Sequence, residues 1–293
     1  MVVRPRRSAL YMPGSNARAL EKARTLPADV IIIDLEDAVA PEAKAAAREQ
    51  ACAAIRAGGF GKREVVIRVN SLASDWGRAD IAAVAAVSPH AVLIPKVSTP
   101  GDIMMAASEL RKAGALEITR LWAMMETPMA ILNADSIVRT ARDPSSRLDA
   151  LVMGTNDLAK ETRARITKGR ASIAPWLAIC VAGARAYGVD LLDGVYGDLN
   201  DIDGLRAECE QGRDMGMDGK TLIHPAQIAV CNEVFTPDAA ELAWSRKLVA
   251  AFHAPENAAK GAIALDGKMV ERLHAEIARR TLDIAAAIDL MSN

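Results

Sequence analysis

VIIIDLEDAVAPEAKAAAREQACAAIRAGGFGKREVVIRVN, residues 30–70, holds one complete unit of the fold. Val30 opens a run of Val, Ile and Leu with no polar alternation, and Glu64 opens a second run in EVVIRVN. Runs apolar at nearly every position read as strands buried on both faces, the condition of a parallel sheet covered by helices. Residues 41–57, between them, are rich in Ala, Arg and Glu with helical periodicity. Both runs end in polar side chains: Glu36 and Asp37 in the first, Arg68 and Asn70 in the second.

The same unit recurs outward in both directions. SALYMPG (from Ser8), AVLIPKV (from Ala91), LWAMMET (from Leu121), ALVMGTND (from Ala150), LLDGVYGD (from Leu191) and GKTLIHP (from Gly219) bring the strand candidates to eight. Helical periodicity returns between them, as at 99–113 and 176–187. Eight strand–helix units predict an α/β fold, a closed (β/α)₈ TIM barrel. A six-stranded doubly wound sheet is the alternative, but MPGSNAR after the first strand is not its G-x-G-x-x-G. Two helical segments, 238–252 and 268–291, follow the eighth unit, joined by HAPENAAKGAIALDG, rich in Ala, Gly and small polar residues. This predicts a catalytic barrel over 1–252 and a hinge with a C-terminal helical lid over 253–293.

Composition limits the function classes. Half of the 293 residues are hydrophobic (51%) but only 3% aromatic, so aliphatic side chains and Met must fill a large core. The 36 Lys+Arg and 37 Asp+Glu leave a net charge of −1, and no long basic run marks a nucleic-acid or anionic-membrane footprint. Four scattered cysteines form no C-x-x-C, against a disulfide framework or thiolate metal site and in keeping with a reducing cytoplasm. The first sixteen residues are basic without an apolar stretch, unlike a secretory signal, and the longest apolar runs fall far short of a membrane span. The expectation is a cytoplasmic protein.

Barrel sites form at the C-terminal ends of strands. Here those ends carry Tyr11, Glu36, Asp37, Arg68, Asn70, Lys96, Glu126, Asp157, Asp198 and His224. Glu126 in METP and Asp157 in MGTNDLA stand on adjacent strand ends, a natural seat for Mg²⁺, which takes one or two carboxylates plus water and substrate oxygens. No His or Cys joins them, which disfavours zinc. The plainer alternative is that each caps the helix that follows it, and spacing alone weighs the two equally. Arg68 either clamps a substrate carboxylate and steadies an enolate oxygen, or pairs with Glu36 or Asp37 next door. Lys96 reads as a barrel-mouth ion pair, with a Schiff-base lysine as the alternative. Arg18 and Lys22, four apart, share a helix face that with Tyr11 suits a phosphate-bearing nucleotide; without other information a solvated face is the better reading. His224, before a proline, reads as structural, with its backbone and ring able to line a pocket.

In order and spacing, LYMPGSNARALEKA, IIDLEDAVAPEAKAAAR, VIRVN, LIPKV, METPMAILNA, LVMGTNDLAKE, GKTLIHPAQIA and ALDGKMVER resemble the citrate lyase β-subunit-like branch of the HpcH/HpaI aldolase superfamily, which includes malyl-CoA and citramalyl-CoA lyases. The resemblance implies a Mg²⁺-dependent barrel, trimeric or a dimer of trimers, acting on CoA or acyl-carrier-protein thioesters. By motif, Glu126 and Asp157 fall on the metal ligands and Arg68 on the substrate arginine. Tyr11, Arg18 and Lys22 fall on CoA-contacting positions, and Ile223 with His224 on a stretch lining the substrate site. The family's lid motif resembles G-x-M-I-D-x-P-H, its Asp supplied as general acid to a neighbouring subunit. Here GKMVERLH puts Glu271 at the Asp and Leu273 at the Pro, with Asp266 nearby as a substitute acid.

The expected reaction is a reversible Claisen-type cleavage of a malyl-CoA-, citramalyl-CoA- or citryl-CoA-like thioester. Its products are an acyl-CoA and a 2-oxo acid of the glyoxylate, pyruvate or oxaloacetate class. Thioester hydrolysis is a second step open to the same groups. The alternatives are a citrate lyase β-subunit acting on a carrier-protein thioester, and a non-catalytic CoA-binding subunit.

Overall fold

A computed structural model describes residues 4–257 and 259–292. The expectation that the chain's start is no secretory signal rests partly on residues 1–3, outside the described residues. Eight strands appear where the apolar runs predict them: β1 Ser8–Pro13, β2 Val30–Asp34, β3 Glu64–Arg68, β4 Ala91–Ile94, β5 Arg120–Met125, β6 Leu148–Met153, β7 Asp190–Asp193 and β8 Gly219–Leu222. They pair in sequence order and close through β8 onto β1, every pair parallel. The fold is a (β/α)₈ barrel.

Alternation along the strands separates two cores. In β2, Val30 and Ile32 join Val66, Leu93, Trp122 and Met124 in one buried cluster, while Ile31 and Ile33 belong to a second that includes helix residues such as Ala47 and Ala51. Both clusters are buried, so the middle of most strands is apolar on both faces. The N-terminal end of the barrel is held by Arg6. Its guanidinium donates to both Glu64 oxygens at 2.8 and 2.9 Å, to Asp190 at 2.9 Å and to Asp149, and lies 4.8 Å from the Trp122 ring centroid.

Arg6–Phe235 form one compact unit, and the described parts of Met1–Pro5 and Thr236–Asn293 form the other. The helix Ala239–His253 belongs to the second unit. Here the structure differs from the sequence expectation at 268–271. Instead of opening a helix, these residues form β10 (Lys268–Glu271), antiparallel to β9 (Ala262–Leu265), and the last helix starts only at Arg272. The cause is the Asp266-Gly267 pair, at φ of 50° and 75°, the two positive values that a tight hairpin turn requires. Ile263 and Val270, cross-strand partners, are the hairpin's buried side chains and pack with Leu248 and Phe252 of the preceding helix. Among the described residues no helix is long and apolar enough to cross a membrane.

Candidate active site

A cavity of about 330 Å³ opens at the C-terminal ends of the barrel strands, with Glu126, Asp157, Arg68 and Tyr11 in its wall. All its lining residues belong to the barrel unit.

Glu126 is the first residue after β5 and is fully buried. Its Oε1 accepts the Lys96 backbone N–H at 2.7 Å, while Oε2 is buried with no hydrogen-bond partner. Such an oxygen is costly to keep unless something else satisfies it. Burial pushes the Glu126 carboxyl up to about 7, Lys96 pulls it back, and Asp157 adds to the rise. Gly154, just after β6, makes room for the carboxylate. A Cβ there would sit 2.3 Å from the Glu126 Cβ and 2.6 Å from Oε2.

Asp157 lies one step further out than the sequence suggests, as the third residue of the helix Thr155–Thr162. Neither carboxylate caps a helix. Thr127 Oγ1 accepts from Ala130 N at 3.0 Å and does that work after β5, and the Asp157 side chain turns to Lys96 instead. Lys96 Nζ is 2.8 Å from Asp157 Oδ1, 3.9 Å from Glu126 Oε1 and 4.0 Å from Glu161 Oε1. The residue sits at φ 56°, an uncommon conformation outside glycine. The barrel-mouth ion pair read for Lys96 is therefore present.

Arg68 ends β3 and is engaged more fully than its neighbours in sequence suggested. Its Nε and Nη2 form a two-pronged pair with Asp34, both at 2.7 Å, and Nη1 reaches Asp37 at 3.2 Å. Glu36 Oε2 comes within 2.8 Å of Nη1 but out of hydrogen-bond alignment. With the guanidinium already matched by Asp34, burial pushes the Glu36 carboxyl up to about 8, Arg68 opposing and Asp37 adding to it. Arg68 also lies 4.9 Å from the Tyr11 ring centroid, and the Tyr11 hydroxyl is buried without a partner. Asp34 is the site residue that sequence reasoning missed. The signal was its parity: Val30, Ile32 and Asp34 face the barrel interior together, and Asp34 is the register partner of Arg68.

The remaining candidates lie around this centre or apart from it. Arg18 and Lys22 stand exposed on the helix Ala17–Ala23, which Asn16 caps by accepting Ala19 N at 3.0 Å. Ile223 lines the cavity, whereas His224 is exposed and its Nδ1 accepts from Ala226 N at 3.2 Å, a local cap. Asn70 is structural, donating Nδ2 to Asp80 at 2.7 Å and to the Leu35 carbonyl at 2.9 Å, and Asp198 closes a turn on Asn200 N. Glu271, exposed at the end of β10, belongs to the C-terminal unit, and Asp266 is paired with Lys247.

The pair fits a hard divalent cation. Its donors are carboxylate oxygens alone, one is buried and unsatisfied, and a glycine clears space beside it. Among the described residues no group of three or more His, Cys, Asp or Glu could hold a metal, so the pair would leave further positions to water or substrate.

A family model described as HpcH/HpaI aldolase/citrate lyase matches residues 7–225. The chain is 48% identical over 284 residues to a (3S)-malyl-CoA thioesterase of Cereibacter sphaeroides, covering 97% of this chain and 96% of that one. It is 31% identical over 294 residues to the mitochondrial citramalyl-CoA lyase of Rattus norvegicus, covering 97% and 87%. Among solved structures, CitE of Mycobacterium tuberculosis in complex with magnesium, acetoacetate and coenzyme A matches with a TM-score of 0.75 at 26% identity, covering 97% and 98%.

Proposed function

The chain belongs to the HpcH/HpaI aldolase/citrate lyase family, and from that premise we propose that it is a Mg²⁺-dependent carbon–carbon lyase of a malyl-CoA-like thioester. The observation that carries this reading is the buried, unpartnered Glu126 oxygen beside Asp157 at the mouth of the barrel. The solved relative with magnesium and coenzyme A supports it.

Glu126 and Asp157 would hold the cation. When bound, Mg²⁺ supplies Lewis-acid polarisation and a template for the oxygens of the 2-oxo-acid half. Arg68 keeps a fixed positive charge in the cavity wall, oriented by Asp34, where charge develops on the thioester oxygen as the carbon–carbon pair becomes an enolate. Arg18 and Lys22, exposed on one helix face, would take the CoA phosphates. Glu271, supplied by a neighbouring protomer of a trimer or hexamer, would take up the proton released as the cleaved carbon's hydroxyl becomes the carbonyl of the 2-oxo acid and deliver it to the enolate carbon.

A second reading is hydrolysis of the same thioester. Two observations favour it: the 48% identity to a malyl-CoA thioesterase, and Glu in place of the lid Asp. An added methylene moves the lid carboxyl by about an ångström, and misplacement on that scale can cost on the order of 100-fold in proton transfer. Malyl-CoA incubated with Mg²⁺ separates the two. Glyoxylate release with the thioester intact is cleavage; free CoA thiol with malate and no glyoxylate is hydrolysis. Turnover that survives EDTA and Glu126→Gln would remove the cation seat from either account.

A further inference from the structure

Lys96 carries an arrangement that an ordinary ion pair does not need. Its backbone is fixed: φ is 56°, and its N–H donates to Glu126 Oε1 at 2.7 Å. Its ammonium, by contrast, is one-third exposed and lies within 4.0 Å of three carboxylates, those of Asp157, Glu126 and Glu161. Asp157 and Glu161 are four apart on the helix Thr155–Thr162, so they occupy one face about a turn from each other. The inner carboxylate pair faces the cavity, and Glu161 is the more exposed of the three.

Counted as ionised, three carboxylates against one ammonium leave two negative charges, the amount a divalent cation carries. The set is balanced when ammonium and cation are both accommodated, and only Glu161 lies outside the seat. Resting on the cation reading above, we propose that Lys96 is a tethered, exchangeable counter-ion: its ammonium competes with the divalent cation for Glu126 and Asp157, and Glu161 is the berth to which it withdraws. Lys96 is then a positioning residue that sets how tightly the cation is held. It keeps the carboxylates together when the cation leaves, and it adds no ligand to the cation.

The direction of the effect separates this from a structural ion pair. Loss of the competing ammonium strengthens cation binding, whereas loss of a merely supporting contact weakens it. Mg²⁺ titrated calorimetrically, with Mn²⁺ followed by electron paramagnetic resonance, gives the affinities without reference to activity. Lys96→Met is expected to bind either cation about tenfold more tightly than wild type. It should also melt lower in EDTA and gain more from added Mg²⁺. Lys96→Arg should keep an affinity close to wild type, and Glu161→Gln should weaken binding. Glu161→Gln should cost less in the Lys96→Met background, because the two residues act as a unit. If Met does not fold at this backbone conformation, Lys96→Asn, which tolerates it, carries the same expectation. Unchanged or weaker cation binding in the neutral variants overturns the proposal. If wild type itself binds neither Mg²⁺ nor Mn²⁺, the cation seat falls first and the competition with it. If wild type binds and Glu126→Gln does not, the seat stands whatever Lys96 does.

Discussion

Gly154 and Glu126 act as one device at the scale of single residues. A Cβ at 154 would sit 2.3 Å from the Glu126 Cβ, which cannot yield without moving the backbone, and 2.6 Å from Oε2. Gly154→Ala is therefore expected to destabilise the protein by about 1–3 kcal/mol, as overpacked sites do, and to weaken Mg²⁺ binding more than Gly183→Ala, where space is open to 3.5 Å. Thermal melts and calorimetric titration of the two variants check this. Glu36 carries a pH signature. Its carboxyl moves from an ordinary 4.5 to about 8, by burial first, so between those values the folded chain holds a proton that the unfolded chain has lost. Its favourable contribution is complete below about 4.5 and is lost as pH rises through 8. Glu36→Gln should thus gain stability relative to wild type from pH 5 to pH 9, on the order of a few kcal/mol. Urea denaturation at both pH values measures it, and parallel curves would refute it. Sequence reading found Glu126, Asp157 and Arg68 because charge at the end of an apolar run stands out. It passed over Asp34 because one acidic residue among three in DLED looks like its neighbours until strand parity is counted.

Whole elements were legible where local chemistry was decisive, and less so where partners are distant in sequence. β7 and β8 are the instructive pair. Their register brings Asp193 and Lys220 together as partners, both fully buried, with Nζ 2.9 Å from Oδ2. Arg170 donates to both Asp193 oxygens at 2.7 and 2.8 Å, and Glu208 receives Lys220 Nζ at 2.6 Å. Nothing in LLDG or GKTL alone announces a four-residue network, because the partners come from a loop and a helix elsewhere in the chain. Lys220→Met would leave Glu208 only its 3.3 Å contact with Arg170, and Asp193 only Arg170 and the Gly194 N–H; it should destabilise the barrel by about 3–5 kcal/mol. A denaturation midpoint within experimental error of wild type would count against the network. The helix Ala17–Ala23 poses the opposite case, a solvated face with no structural duty for Arg18 or Lys22. Arg18→Glu with Lys22→Glu should raise KM for a CoA thioester while leaving the melting temperature and kcat nearly unchanged. A matching fall in kcat would place them in the chemistry instead of in CoA binding. The β9–β10 hairpin was readable too, since Asp266-Gly267 between two short apolar runs is a turn signal that helical periodicity beyond it masked.

For the molecule as a whole, the barrel could be read from sequence because most strands are apolar on both faces, a property that needs no knowledge of neighbours. The assembly could not, because the residues that would join protomers are surface residues whose partners lie in another chain. Glu271 concentrates that question. If each site takes its acid from the next protomer, Glu126→Gln lacks only the cation seat and Glu271→Gln lacks only the lid acid, and both are inactive alone. In a mixed, reassorted oligomer, a site works when a protomer with intact Glu126 neighbours one with intact Glu271. Equal mixing should restore about a quarter of wild-type activity, whatever the size of the ring. A lid that serves its own chain would restore nothing, since each protomer carries one defect. Activity assays on the two variants, alone and after co-refolding, decide between these outcomes. Full activity of Glu271→Gln by itself would remove the residue from the chemistry and leave hydrolysis, which needs no proton returned to carbon, as the stronger account of what this barrel does.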